Sequence, residues 1–278
     1  MHLVYDLHTH TTASDGELSP KSLVLKAKTN GIDVLAITDH DTTSGIAAAA
    51  DEASKQNIKL IPGIELSVSW RNKSFHIIGL GIEPDNEKLK ASLKETEELR
   101  QQRAMEIGKK LEKIGVVKAY FEARELAGVH TLTRSHFARV LINQGFAVDS
   151  REVFKKYLVQ NKPGFVKTNW VELSSGIKLI KDSGGEAILA HPLRYNITAS
   201  WLRRFLVTFK ESGGIGIEVV TGSSTTDEIT TTAAYAKRFE LSGSAGSDFH
   251  GFDNTWVKLG QLAAMPKSVM PVWNNWAI

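Results

Sequence analysis

The sequence predicts an α/β fold: a (β/α) barrel or an open α/β sheet, interrupted by a block of helices. Three observations carry this prediction. Strand-like apolar runs alternate with helix-like segments up to about Glu83, and the alternation resumes after Pro163-Gly164. No strand-like run occurs between Asp85 and about Lys162, where charged segments of helical period take over. Six apolar runs lie beside His, Asp or Glu, the arrangement by which parallel strands gather functional groups on one rim.

The elements follow in order. The run from Val4 to His10 carries His8 and His10 at i, i+2, which on a strand puts both imidazoles on one face and lets them grip one metal ion. Ser19-Pro20 starts a helix through Asn30, with Gly31 as its stop. A strand from Val34 leads into Asp39 and His40, and an Ala-rich helix from Thr43 to Gln56 follows, with Asp41 and Thr42 as candidate caps. The run from Leu60 ends in Glu65, whereas His76 opens its run, which continues to Leu80. Helical patterns then cover Asn86 to Ile114, Ser135 to Gln144 and Ser150 to Gln160. After these come a helix from Leu173 to Asp182, a strand into His191, a helix from Ser200 to Glu211 and a strand from Gly216 to Val220. A helix from Thr226 to Phe239 and a strand into Asp248 and His250 complete the series. This organisation divides the chain into a metal-binding barrel, 1–84 and 163–278, and an inserted helical subdomain, 85–162, overhanging the rim where the ligands collect.

At 278 residues and 42% hydrophobic residues the chain has the size and composition of a globular α/β protein with one main core. A formal net charge of +3 suits an anionic substrate but falls far short of a protein held to nucleic acid by charge alone. There is no cysteine, so any metal must be held by nitrogen and oxygen. Asp6 and several histidines stand where a signal peptide needs an apolar stretch, and no run approaches a membrane span of ~20 residues. A cytoplasmic protein without a membrane or obligate protein partner is expected.

The full set of motifs, His8-Thr-His10, Asp15, Thr38-Asp-His40, Pro62-Gly-Ile-Glu65, His76, Ala190-His-Pro192 and Gly246-Ser-Asp-Phe-His250, resembles the PHP (polymerase and histidinol phosphatase) superfamily. The segments Tyr5 to Gly16, Thr133 to Arg139 and Val153 to Leu158 are similar to the branch containing RNase AM and the 3',5'-nucleoside bisphosphate phosphatases. The resemblance implies a distorted (β/α)7 barrel with three divalent metal ions, usually manganese. It implies that His8, His10, Glu65 and Asp248 hold one ion and that Glu65 bridges to a second held by His76 and His191. Asp15, His40 and His250 would hold the third. Asp15 stands where many superfamily members have histidine, which makes that site richer in oxygen and better suited to Mn2+ than to zinc. Among these, Glu65, Asp248 and His191 are the residues expected to be catalytically indispensable, and Asp39 is a candidate for orienting a ligating imidazole.

The implied chemistry is hydrolysis of phosphate esters by water activated between cations that also clamp the phosphoryl oxygens. Charge accumulating on those oxygens calls for further cationic or hydroxyl donors, for which Arg134, Ser135, Lys167 and Arg194 are the candidates. His130 and His136 read as structural or surface residues, and Trp170 and Tyr195 either stack on a nucleobase or pack in the core. The expected substrates are small nucleotides such as 3',5'-bisphosphates and short 5'-phosphorylated RNA degraded from its 5' end. A histidinol-phosphate-like or general small-molecule phosphatase is the rival enzyme, and a PHP module without catalysis is the rival of a different class.

Overall fold

The computed structural model describes residues 3–252 and 257–276. Its strands are β1 (Tyr5–Asp6), β2 (Val34–Ile37), β3 (Lys59–Trp70), β4 (Lys73–Leu80), β5 (Val171–Glu172), β6 (Glu186–Leu189), β7 (Gly216–Thr221) and β8 (Ser242–Gly246). They pair in the order β1-β2-β3-β4-β6-β7-β8, with β5 added beside the far end of β3 at Val68 and Ser69. The path then closes on itself. Leu7 N–H donates to Ala245 C=O (3.0 Å), Asp248 N–H to His8 C=O (2.8 Å) and His10 N–H to Phe249 C=O (3.0 Å). Closure needs Gly246, because a Cβ there would stand 2.3 Å from that of His8. The result is a nearly closed seven-strand barrel, in keeping with the expected (β/α)7 form.

Strand direction departs from the expected parallel plan at one place. β4 runs antiparallel to both β3 and β6. Only Arg71 and Asn72 separate β3 from β4, both in the left-handed region (φ 45° and 64°), and so short a link permits a hairpin but no parallel crossover. The reversal explains why His76 opens its run. The start of β4 lies on the same rim as the ends of its neighbours.

The helices are α1 (Pro20–Thr29), α2 (Ile46–Gln56), α3 (Glu87–Glu112), α4 (Ala119–Ala127), α5 (Arg134–Asn143), α6 (Ser150–Val153), α7 (Leu173–Asp182), α8 (Ala199–Glu211) and α9 (Thr226–Phe239). α1 has the expected signals: the Ser19 hydroxyl accepts from Ser22 N–H at 3.2 Å, Pro20 occupies the first turn, and Gly31 (φ 76°) ends it. α2 begins later than expected, at Ile46 after Gly45, so Asp41 is not its cap. The helix α4 escapes the sequence reading, and the expected helix from Ser150 breaks into one α turn followed by a π turn, Phe154–Leu158.

Three apolar clusters result among the described residues, one of them built from Leu7, Val34, Ala36, Ile61, Ile78 and Ile188 of the strands. Leu35, Ile64, Phe75, Ile177, Phe205 and Ile217 belong to the core between the barrel and its outer helices. Ile107, Leu111, Ala123, Phe137, Leu141, Val153 and Leu158 form a separate cluster among α3 to α6. That helical segment is tied to the rim by polar contacts: Thr131 N–H donates to Ala13 C=O (3.3 Å), and the Thr133 hydroxyl to Asp15 Oδ2 (2.8 Å). No helix among the described residues is long and apolar enough to cross a membrane.

Candidate metal centre

Alternation along β3 turns Glu65 and Ser67 inward while Leu66 and Val68 pack outward, so an apolar strand delivers a fully buried carboxylate to the barrel mouth. Around it stand five imidazoles from four other segments. Glu65 Oε1 is 2.9 Å from His76 Nδ1, 3.0 Å from His191 Nε2 and 3.5 Å from His8 Nε2. Its Oε2 is 2.8 Å from His40 Nδ1 and 3.4 Å from His10 Nε2. Asp248 Oδ1 lies 3.4 Å from His8 Nε2, 3.3 Å from His10 Nε2 and 3.5 Å from His250 Nδ1. Asp15 completes the ring, with Oδ1 3.3 Å from His250 Nε2 and Oδ2 3.9 Å from His40 Nε2. All nine residues singled out as metal-ligating types therefore meet at one mouth.

The donor set fits divalent ions. Ligand-type atoms of His10, Asp15, His40 and His250 lie within 4.8 Å of one another, as do those of His8, His10 and Glu65 and those of His40, Glu65 and His76. Glu65 Oε2 and His40 Nδ1 face each other yet lack hydrogen-bond alignment, and both remain buried without partners. His8 Nε2 and His10 Nε2 point at each other across 3.1 Å, a contact needing a proton or a shared cation between two lone pairs. Orphaned buried acceptors of this kind are costly unless something positive sits among them.

The electrostatics agree. Burial on its own would raise Glu65, but His40, His76 and His8 hold its carboxyl well below the usual range. Burial likewise opposes ionisation of Asp15 and Asp248, yet His250 and His40 hold the first low, and His8 and Arg194 the second. His250 is pushed up to about 9, against its burial, by Asp15 and Asp248. Burial drives His40 down to about 4. Three buried carboxylates kept ionised in this way draw positive charge to the mouth.

A buried residue that the sequence reading passes over organises two of the candidate ligands. Glu218, on the inward face of β7, accepts from His8 Nδ1 (2.9 Å) with Oε1 and from the His191 backbone N–H (2.6 Å) with Oε2. The first contact fixes the His8 tautomer, leaving Nε2 free to ligate. The second holds His191 in a left-handed conformation (φ 29°) that a non-glycine residue adopts at a cost. An acidic residue inside the apolar run Gly216 to Val220 was the available signal.

Asp39 has a different task from the one considered for it. It is buried and accepts from Thr11 N–H (2.7 Å), the Thr11 hydroxyl (2.7 Å) and the Ser14 hydroxyl (2.6 Å), so it pins the loop bearing Asp15 and orients no imidazole. Asp41 is also buried. Its Oδ2 accepts from Arg100 Nε at 2.8 Å and its Oδ1 from Ser67 N–H at 2.6 Å, which ties α3 to the segment after His40. Burial would raise its pKa, but Arg100 and Ser67 hold it below the ordinary value.

The candidate phosphate-binding residues fall in three places. Arg194 donates to Asp248 and to Ser223 Oγ (2.9 Å), beside the ring of imidazoles. Arg134 and Ser135 open α5 above Asp15, with the Arg134 guanidinium 5.4 Å from the Phe154 ring centroid. Lys167 is exposed and donates to Asn72 Oδ1 (3.1 Å) at the tip of the β3–β4 hairpin. His136 accepts from Thr133 N–H (3.1 Å) in the capping box of α5 and His130 is exposed, in line with structural and surface roles. Trp170 is only 7% exposed, and Tyr195 packs on Phe75 and accepts from His76 N–H (2.9 Å), so neither ring is free to stack.

Sequence reasoning also missed Arg103. Its guanidinium sits 5.2 Å from the Trp170 centroid, with Arg100 at 5.1 Å from the same ring. Its Nε is buried without a partner. Burial, then Arg134 and Arg100, push its pKa well below that of a free arginine, and burial followed by Arg100 lowers Arg134. Asp41 already serves Arg100, so Arg103 and Arg134 hold surplus positive charge above the metal-binding mouth.

Residues 6–221 match the family model for the PHP domain. This chain belongs to the PHP domain family. Within it, the chain is 45% identical to a 5'-3' exoribonuclease of Haemophilus influenzae, over 98% of each protein. It is 39% identical to a 3',5'-nucleoside bisphosphate phosphatase of Chromobacterium violaceum, covering 97% of this chain and 95% of that one. An amidohydrolase from Chromobacterium violaceum, solved with bound sulfate and no metal, superposes with a TM-score of 0.92 at 38% identity, covering 96% of this chain and 94% of that one. The PHP model ends before Asp248 and His250. Their place in the site rests on the distances above.

Proposed function

We propose that this PHP protein is a metal-dependent phosphoesterase that hydrolyses nucleotide phosphate esters, acting on 3',5'-nucleoside bisphosphates and on short 5'-phosphorylated RNA from its 5' end. The observation that carries the reading is the position of Glu65, both of whose oxygens face imidazoles from separate segments at one mouth. The named activities of the relatives supply the substrate class.

Three ions, with manganese the best match to the oxygen-rich set, would be held by His8, His10, Glu65 and Asp248, by Glu65, His76 and His191, and by Asp15, His40 and His250. Bound there, they would activate water and neutralise phosphoryl oxygens. The chain's own residues do the rest. Glu65 offers both its oxygens to the mouth, Glu218 fixes His8 and His191, and Arg194 stands ready to exchange Asp248 for a phosphoryl oxygen. The helical segment 85–162 covers the mouth and presents Arg103, Arg134 and Ser135 to the phosphate that is not cleaved. A 5'-phosphate anchored there places the next ester, toward the 3' side, over the cluster. Lys167 would act farther out along the substrate.

The test compares adenosine 3',5'-bisphosphate, histidinol phosphate and a short RNA with and without a 5'-phosphate, in added Mn2+. Release of mononucleotides from the 5' end, slow turnover of histidinol phosphate and loss of metal and activity in Glu65→Gln are expected. Equal turnover of histidinol phosphate, or fragments appearing from the 3' end, would overturn the reading.

A further inference from the structure

The β3–β4 hairpin does more than deliver Glu65 and His76. It projects past the rim, and its tip carries Trp70, Arg71 and Lys73 against Trp201 and Arg204 of α8. Arg71 lies 4.9 Å from the Trp70 centroid, while Lys73 and Arg204 each lie 5.8 Å from that of Trp201. The two indoles meet edge to face at 5.5 Å. Lys167 joins the group through Asn72. None of Arg71, Lys73, Lys167 and Arg204 forms an ion pair among the described residues. Arg71 also occupies a left-handed turn position that favours Asn or Gly, so an arginine is held there at a conformational cost.

We infer that this ridge of unpaired cations on tryptophan is a binding surface for the downstream, 3' portion of single-stranded RNA. The inference rests on the RNA reading above and extends it. Charge complementarity selects a polyanion, and the tryptophans, Trp70 buried in the core and Trp201 half-buried against it, act as the rigid base that holds the cations rather than as stacking faces. Position agrees. The segment 85–162 contacts the loops around Asp15 and Asp41 and reaches Ser67 of β3 through Arg100, whereas the ridge lies past the ends of β3 and β4, against α8. From His76 to Lys73 is three residues, roughly 10 Å of strand. A strand anchored by its 5'-phosphate and cleaved over the mouth would therefore leave across the ridge.

The experiment measures KM for 5'-phosphorylated RNAs of increasing length at several salt concentrations, and anisotropy of a labelled oligomer held without metal. For wild type, KM falls with length and becomes more salt-dependent once the strand reaches the ridge. In Arg71→Ser/Lys73→Ser/Arg204→Ser the gain with length flattens by about tenfold. The salt slope should fall by about 2, at ~0.7 per phosphate contact on a single strand. Adenosine 3',5'-bisphosphate, too short to reach the ridge, is turned over as by wild type. The charge reversal Arg71→Glu/Lys73→Glu/Arg204→Glu deepens the same defect. An unchanged length and salt dependence in both variants would overturn the inference, as would loss of binding to anionic vesicles with RNA binding intact. Failure of wild type to hydrolyse any nucleotide would count against the proposed function instead, and the anisotropy would still decide whether RNA sits on the ridge.

Discussion

Replacing Arg103 by methionine should make the ligand-free protein more stable while making it a poorer enzyme on doubly phosphorylated substrates. Arg103 is half-buried, its Nε is buried without a partner, and the neighbouring carboxylate Asp41 is engaged by Arg100 and Ser67. Exchanging buried charge for apolar volume is worth about 1–4 kcal/mol. Loss of the contact with Trp170 subtracts up to about 2 kcal/mol. The net gain of about 1 kcal/mol appears as a rise in Tm of roughly 2 °C for a chain of this size. Inorganic phosphate should raise the wild-type Tm, by the equivalent of about 2.7 kcal/mol at a hundredfold excess over Kd, and should barely move that of Arg103→Met. A charge-assisted hydrogen bond is worth about 1.5–3 kcal/mol, so kcat/KM for adenosine 3',5'-bisphosphate should fall roughly 10- to 100-fold. Turnover of p-nitrophenyl phosphate, which has no second phosphate, should stay the same. A variant that melts earlier without anion, and loses both activities equally, would refute the argument and make Arg103 a packing residue.

Glu218→Gln keeps the size of the side chain but can no longer accept from both His8 and His191; titration calorimetry with Mn2+ should show affinity lower by about 10- to 100-fold with an unchanged circular dichroism spectrum. Arg100→Met strands the buried Asp41 carboxylate, at a cost of about 3–5 kcal/mol in urea denaturation, and adding Asp41→Asn should restore part of it. His136, pushed by burial down to about 4, is easier to protonate in the unfolded chain than in the folded one. The stability it confers is complete above pH ~6.5 and is lost as pH falls toward 4, by at most about 3 kcal/mol at ~1.4 kcal/mol per unit. The difference in stability between wild type and His136→Asn should shrink across that window and stay flat above it.

What could be read from the sequence follows from what interrupts an apolar run. His8, His10, His40, Glu65, His191, Asp248 and His250 stand out because each breaks or ends a stretch that burial otherwise keeps apolar, and the structure brings them together. Glu218 obeys the same rule and was as legible. Strand direction was not, because an alternation of period two reads the same both ways; only the two residues between Trp70 and Lys73 betray the reversal of β4. Arg100 and Arg103 were hidden on a long charged helix where most charges face water. Their trace is a polar gap in its buried stripe, where Thr96 and Arg100 stand between Leu89 and Ile107. Asp41 resembled a cap, and Asp39 a partner of an imidazole, because sequence spacing does not reveal that a loop is buried under another element.

The bonds that close the barrel run through its candidate ligands. The His8 and Asp248 backbones pair directly, and Thr9 bridges to Phe249. An ion gripping both His8 and Asp248 would rivet the first strand to the last, so loading metal and shutting the ring become one equilibrium. Hydrogen exchange along this seam should accordingly slow when cations are added and quicken with a chelator, while amides on the far wall of the barrel keep their pace.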